Sequence, residues 1–258
     1  MANELSSSNL FSLKGKIALV TGGGTGIAAK ELNQIGSSSG GKCIPIQADL
    51  SSKLACDNLA NGIANIEDGK LDILVNNSAV FTHAPLTNIL ESSWDAVWKV
   101  NVVSVFYLTI ACLPLLQKAS NAPQHPSKVI IIGSMGEGNL ESLVAAQKDT
   151  ALPYNVSKWA LNGLSRNLAA YLTPHGVNVN LIAPGLVPTK MTETYHQSSV
   201  SRKYRMGNEV DLGAAALYLA SDAGSWISGA ELRIDGGASL RGKNFDKKLA
   251  RESTKSKL

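Results

Sequence analysis

Lys16-Ile-Ala-Leu-Val-Thr21 runs directly into Gly22-Gly-Gly-Thr-Gly26, and this junction decides the fold. The first half is a short apolar run containing the β-branched Ile17 and Val20, the composition of a buried strand. The second half is a glycine turn. Gly22 and Gly26 supply the backbone freedom that a strand needs to meet a helix tightly, whether or not a ligand binds there. Strand, glycine turn and helix in that order form the layout of a nucleotide-binding crossover. Three further runs read as buried parallel strands: Leu71-Asp-Ile-Leu-Val75, Lys128-Val-Ile-Ile-Ile132 and Val177-Asn-Val-Asn-Leu-Ile182. Helical segments over 91–118, 154–172 and 209–221 separate them, and Glu231-Leu-Arg-Ile-Asp235 makes a last strand. This alternation predicts an α/β fold, a doubly wound parallel sheet covered on both faces. It forms a single domain over 1–240, opening with a flexible lead-in over 1–13.

The 258 residues are 44% hydrophobic and 17% charged, values of a globular chain able to bury a core. The net charge of +4 is concentrated at one end. From Arg241 to Leu258 seven basic residues face two acidic ones, a net of +5, which leaves the body near −1. That segment reads as a solvated, flexible basic tail, and the near-neutral body argues against a nucleic-acid face. Cys43, Cys56 and Cys112 are too few and wrongly spaced for a disulfide framework or zinc site, and the four histidines are scattered, so no metal is expected. The N-terminus lacks a signal-peptide pattern. The apolar stretch Val100 to Leu116 carries Asn101, Ser104, Thr109 and Pro114, so it reads as a buried helix and not as a membrane span.

One stretch is too short. A strand–helix–strand unit takes roughly 30 residues or more, and Ile17 to Asp49 spans 33, room for one such unit where a dinucleotide-binding half needs two. The helix candidate is Ile27 to Ile35, with Ala28, Leu32 and Ile35 on one face. Gly36 to Gly41 reads as loop, and Lys42-Cys-Ile-Pro-Ile-Gln47 as a strand placed at a sheet edge, because Pro45 cannot donate to a ladder.

Tyr154 and Lys158, in Pro153-Tyr-Asn-Val-Ser-Lys-Trp159, fall on one face of a helix about a turn apart. A cation held there favours phenolate, lowering a tyrosine pKa that starts near 10 and making a group able to exchange a proton near neutrality. Six tyrosines in a lysine-containing chain could also produce such a pair on an ordinary helix surface.

Together these segments resemble the short-chain dehydrogenase/reductases of the classical type, from about Phe11 to Leu240. Thr21-Gly-Gly-Gly-Thr-Gly26-Ile27 looks like the family's glycine turn, and Asp49-Leu50 like its adenine-contacting pair. Asn76-Asn77-Ser78-Ala79 departs from Asn-Asn-Ala-Gly at two positions. Asn101 matches the helix asparagine, and Ser134 follows its strand as the family serine does. Pro184-Gly185-Leu-Val187-Pro-Thr189 and Ile234-Asp-Gly-Gly237 match the last segments. Two departures stand out. Ala28 replaces the glycine that lets helix and strand pack closely. The second is larger: Ala28-Ala-Lys-Glu-Leu-Asn33 resembles the end of the family's next helix, joined directly to the glycine turn. Most of the first helix, the second strand and the residue that selects NAD or NADP are thus expected to be absent, through a natural variant or a misdrawn gene. The expected fold is a Rossmann-like sheet of six parallel strands, with strand 42–48 beside strand 16–21 or a gap in its place.

The resemblance implies hydride transfer between NADP, or alternatively NAD, and a carbonyl or alcohol substrate. In that mechanism Tyr154 donates the proton, Lys158 lowers its pKa and holds the nicotinamide ribose, Ser134 bonds the substrate oxygen, and Asn101 supports a water linking Lys158 to solvent. Gly22, Gly26, Ile27, Asp49, Leu50, Asn77, Val187 and Thr189 complete the cofactor site. Each has a plainer reading: Ser134 can end a strand, Asn101 can be a satisfied buried amide, and Asp49 can cap the helix that starts near Ser51. Substrate choice is assigned to a lid over Thr189 to Arg205. Helices 91–118 and 154–172 form the association surface in relatives, so a homodimer or homotetramer is expected. Ser256-Lys257-Leu258 reads as a peroxisomal address for the import receptor; without it the chain would be cytoplasmic. That location suggests a 3-oxoacyl thioester as substrate. The competing reading is a catalytically impaired short form acting as a binding protein.

Overall fold

The computed structural model describes residues 6–23, 32–34, 36, 40–135, 150–189 and 205–240. Gly26, Ile27, the candidate lid between Thr189 and Arg205, and the basic tail with Ser256-Lys257-Leu258 lie outside or at the margin of these residues. Five strands form one parallel sheet: β1 (Ala18–Val20), β2 (Ile73–Asn76), β3 (Ser127–Ile132), β4 (Val177–Pro184) and β5 (Glu231–Ile234), in that spatial order. The helices are α1 (Ser7–Leu10), α2 (Lys53–Ala64), α3 (Glu91–Trp98), α4 (Ser104–Ala119), α5 (Leu152–Leu172) and α6 (Glu209–Ala220). A π-helical segment, Lys99–Val103, joins α3 to α4.

Strand residues alternate between two cores because successive side chains leave opposite faces of a sheet. Leu19, Leu74, Val129, Ile131, Val179 and Leu181 enter the larger core with α2, α4 and α5. Ile73, Ile130 and Ile182 enter the smaller one, against Ala215 and Leu219 of α6. Both faces are largely apolar, so β2 and most of β3 read as hydrophobic runs, while β4 interposes the buried Asn178 and Asn180. The long apolar helix Glu91–Ala119 meets the length and hydropathy of a membrane span. Here it packs Val105, Leu108, Cys112 and Leu116 into the larger core. Within the described part of the lead-in, residues 6–13, two side chains meet the body. The Phe11 ring lies 6.4 Å from that of Tyr218, and Leu13 packs against the smaller core.

Two expectations are corrected. Residues 42–47 form no strand, and the sheet has five strands among the described residues, not six. The reason lies in a side chain. Asn33 bonds the backbone of Cys43 with both ends of its amide, accepting from the Cys43 N–H and donating to its carbonyl. These groups are therefore unavailable to a ladder, and Pro45 has no N–H to offer. Ile44 and Ile46 are left exposed. Among the described residues β1 is the sheet edge, with Ala18 and Val20 exposed and Val20 retaining 52% of its accessible surface.

Lys128, the second residue of β3, is 4% exposed, and its ammonium donates to the Gly224 carbonyl at 3.5 Å. Burial pulls its pKa from 10.5 down to about 8, against the opposing pull of Asp222 and with help from Lys16. The unfolded chain therefore holds more protons than the folded one between pH 8 and 10.5, and stability rises across that window. Below pH 8 the penalty for burying the cation is felt in full. Lys128→Met is expected to stabilise the fold at pH 7 by about 1–3 kcal/mol and to flatten this rise, as chemical denaturation at several pH values will measure.

Candidate active site

The site is built where the strands end, starting with Thr21. Its hydroxyl accepts from the N–H of Asn77 at 2.9 Å and of Ser78 at 3.0 Å. The Asn77 amide donates to the Thr21 carbonyl at 2.9 Å. These bonds lash the end of β1 to the loop after β2. Gly22 fits between them for two reasons: its φ is +74°, and a Cβ would lie 3.0 Å from Ser78 Cα. Gly22 and Asn77 are thus neighbours, as the cofactor reading requires.

Tyr154 and Lys158 share the N-terminal part of α5. Tyr154 is half-buried and Lys158 is 3% exposed. The Lys158 ammonium lies 5.7 Å from the centre of the tyrosine ring and donates to the Ile132 carbonyl at 2.7 Å. Ile132 ends β3 two residues before the half-buried Ser134, so the lysine ties the tyrosine helix to the strand that delivers the serine. Asn101 is 1% exposed inside the π-helical segment, a distortion often found at functional sites. Its carbonyl oxygen accepts from Val80 N–H at 2.7 Å, and its amide donates to Val80 O and to Ser157 Oγ, both at 3.0 Å. The side chain is thus committed to the loop after β2 and to the residue beside Lys158. It is a satisfied buried amide and also a part of the site's frame.

The remaining cofactor candidates divide. Val187 is half-buried and Thr189 exposed just beyond β4. Gly207 N–H donates to the Leu186 carbonyl at 2.9 Å, beside Val187. Leu50 is buried in the larger core. Asp49 accepts from the Ser51 N–H and hydroxyl, both at 2.9 Å, bonds that lower its pKa. The cap of α2 is Ser52, whose hydroxyl accepts from Ala55 N–H, so Asp49 shapes the approach to that helix without capping it. Thr21, Val80 and Ser157 were absent from the sequence-derived site. Thr21 was visible as the residue before the glycines, whereas Val80 and Ser157 are joined to Asn101 only by the folded chain.

This arrangement brings a tyrosine, a buried cation and a serine-bearing strand end together beside a glycine turn. A family profile described as enoyl-(acyl carrier protein) reductase matches residues 14–239. The rhamnolipids biosynthesis 3-oxoacyl-[acyl-carrier-protein] reductase of Pseudomonas aeruginosa is 36% identical, over 89% of this chain and 98% of its own. The chain belongs to the short-chain dehydrogenase/reductase family. A second member, the mitochondrial borneol dehydrogenase of Lavandula x intermedia, is 31% identical over 92% of this chain and 95% of its own. Among solved structures, the complex of Pseudomonas aeruginosa RhlG with NADP matches this dehydrogenase/reductase with a TM-score of 0.76 at 34% identity, covering 90% and 99% of the two chains. The alignment with the Pseudomonas reductase runs over 260 positions but uses 89% of this chain, about 230 of its 258 residues, so about 30 positions face no residue here.

Proposed function

We propose that this dehydrogenase/reductase uses NADPH to reduce a carbonyl to an alcohol, with a 3-oxoacyl thioester as the leading substrate class. The observation that carries this reading is Tyr154 beside the buried Lys158 cation, which is itself fixed on the Ile132 carbonyl at the end of β3. The acyl class is supported by the 3-oxoacyl reductase at 36% identity, and NADP by the resemblance to a structure holding it. The nicotinamide half fits the strand ends, where Lys158, Val187 and Thr189 would hold it. Gly22 fits a tight strand-end turn packed on Ser78 and Asn77, where a Cβ would meet Ser78 Cα at 3.0 Å. When bound, the cofactor supplies the hydride. The protein's own work is to place the carbonyl, bond its oxygen through Ser134 as charge develops, and deliver a proton from the Tyr154 hydroxyl. Lys158 stabilises the phenolate left behind, and Asn101 holds the loop and Ser157 around it.

A second reading is favoured by two observations: among the described residues β1 stands at the sheet edge with Val20 half exposed, and about 30 aligned positions of the Pseudomonas reductase are unfilled. Absence of the crossover unit beyond β1 would leave the adenosine half poorly held, giving a weakly active or purely binding protein. NADPH consumption with a panel of 3-oxoacyl thioesters and simple ketones separates the two. Carbonyl-dependent consumption is expected; its absence in a folded protein, with every carbonyl tried, would favour the second.

The single-domain assignment over 1–240 is supported by the sheet and its two cores. Self-association is supported by Phe106, Ile110, Val156 and Trp159, which stand exposed on α4 and α5 and would be covered in a dimer or tetramer. Peroxisomal import rests on the sequence Ser256-Lys257-Leu258 alone.

A further inference from the structure

The loop after Asn76-Asn77-Ser78-Ala79 is pinned at both ends. Val80 is held through its N–H and carbonyl by the Asn101 side chain. Ala84 and Thr150 exchange backbone hydrogen bonds of 2.8 and 3.2 Å, and Thr150 lies two residues before the start of α5. Between these pins the Phe81 ring meets the Tyr154 ring edge to face, with centroids 5.1 Å apart and planes at 68°. His83 backs Phe81 at 5.8 Å. The Thr82 hydroxyl between them is buried without a hydrogen-bond partner among the described residues.

Tyr154 stands in the first turn of α5, two residues from its start. The torsion that turns a tyrosine ring is soft, and the helix alone does not fix the plane of the ring. An edge-to-face neighbour does, because such contacts have a preferred geometry. We propose that Phe81 is a positioning residue for Tyr154: its ring, anchored through Asn101 and Thr150, sets the direction of the phenol towards Lys158 and the substrate carbonyl. The proposal rests on the catalytic reading of Tyr154 given above, and its test separates the two.

Phe81→Ala, and Phe81→Leu should the first fail to fold, are compared with wild type and with Phe81→Tyr, which keeps the ring. In the reductase assay Phe81→Ala is expected to lower kcat about tenfold or more, since small misplacements of reacting groups have large kinetic effects. KM for NADPH is expected to stay within about twofold, and Phe81→Tyr to recover most of the rate. Independently of turnover, the Tyr154 ionisation is read from phenolate absorbance by subtracting the matching Tyr154→Phe protein. In Phe81→Ala it is expected to move up, towards the ordinary tyrosine value near 10, as the ring drifts from Lys158. If the wild type proves inactive the reductase reading fails, and the ionisation comparison still decides the role of Phe81. An ionisation that coincides in wild type and Phe81→Ala, or a kcat within about twofold of wild type, would overturn the proposal.

Discussion

Tyr154→Phe is expected to lower turnover by about 10²–10⁴-fold, the range over which positioned proton donors act. The substitution removes one hydroxyl and keeps the ring, so the edge-to-face contact with Phe81 and the start of α5 are preserved. Nicotinamide binding is expected to change little, because Lys158 keeps its bond to Ile132. The informative pattern is a fall in kcat with nearly constant KM, which marks an interaction made in the transition state. A variant retaining more than about a tenth of the wild-type rate would remove Tyr154 from its role as proton donor.

Lys158→Met should be nearly as damaging, for a different reason. The ammonium is buried, faces the tyrosine ring at 5.7 Å and is bonded to a strand-end carbonyl. Methionine matches much of its volume but leaves the Ile132 carbonyl unpaired and removes the cation that favours phenolate. Turnover is expected to fall about 10²-fold or more. In the direction of alcohol oxidation Tyr154 must be ionised to accept a proton. Loss of the cation raises its pKa, so the rising limb of the pH–rate profile moves upward, towards pH values near 10. Cofactor affinity should weaken as well, which separates this variant from Tyr154→Phe. Thermal unfolding run alongside controls for the unpaired carbonyl, and Lys158→Arg tests whether charge alone restores the rate.

The central sheet was legible because β2, β3 and β4 are buried on both faces, leaving runs such as Val129-Ile-Ile-Ile132 and, broken only by Asn178 and Asn180, Val177 to Ile182. Lys42 to Gln47 offered a similar run and misled. Its backbone is engaged by the amide of Asn33, ten residues earlier, a competition that residue pattern does not encode. The contact of Phe11 with Tyr218 joins residues more than two hundred positions apart in sequence, which residue pattern does not encode. At the site, Tyr154 and Lys158 were legible because helical spacing alone places them together. The commitments of Asn101 to Val80 and Ser157, 21 and 56 residues away, belong to tertiary structure. So does the pairing of Phe81 with Tyr154. The shortened region after the glycine turn was read from spacing and from the resemblance of Ala28 to Asn33 to a later helix end, and most of that region lies outside the described residues.

The most direct test of a working nicotinamide-dependent reductase is a fluorescence titration of the purified, monodisperse protein with NADPH and, in parallel, NADH. The account predicts saturable NADPH binding in the micromolar range, roughly −8 kcal/mol of binding free energy, retained in Tyr154→Phe and weakened in Lys158→Met. A well-folded protein that binds neither nucleotide would contradict it, leaving Tyr154 and Lys158 as residues inherited from a catalytic family but no longer used.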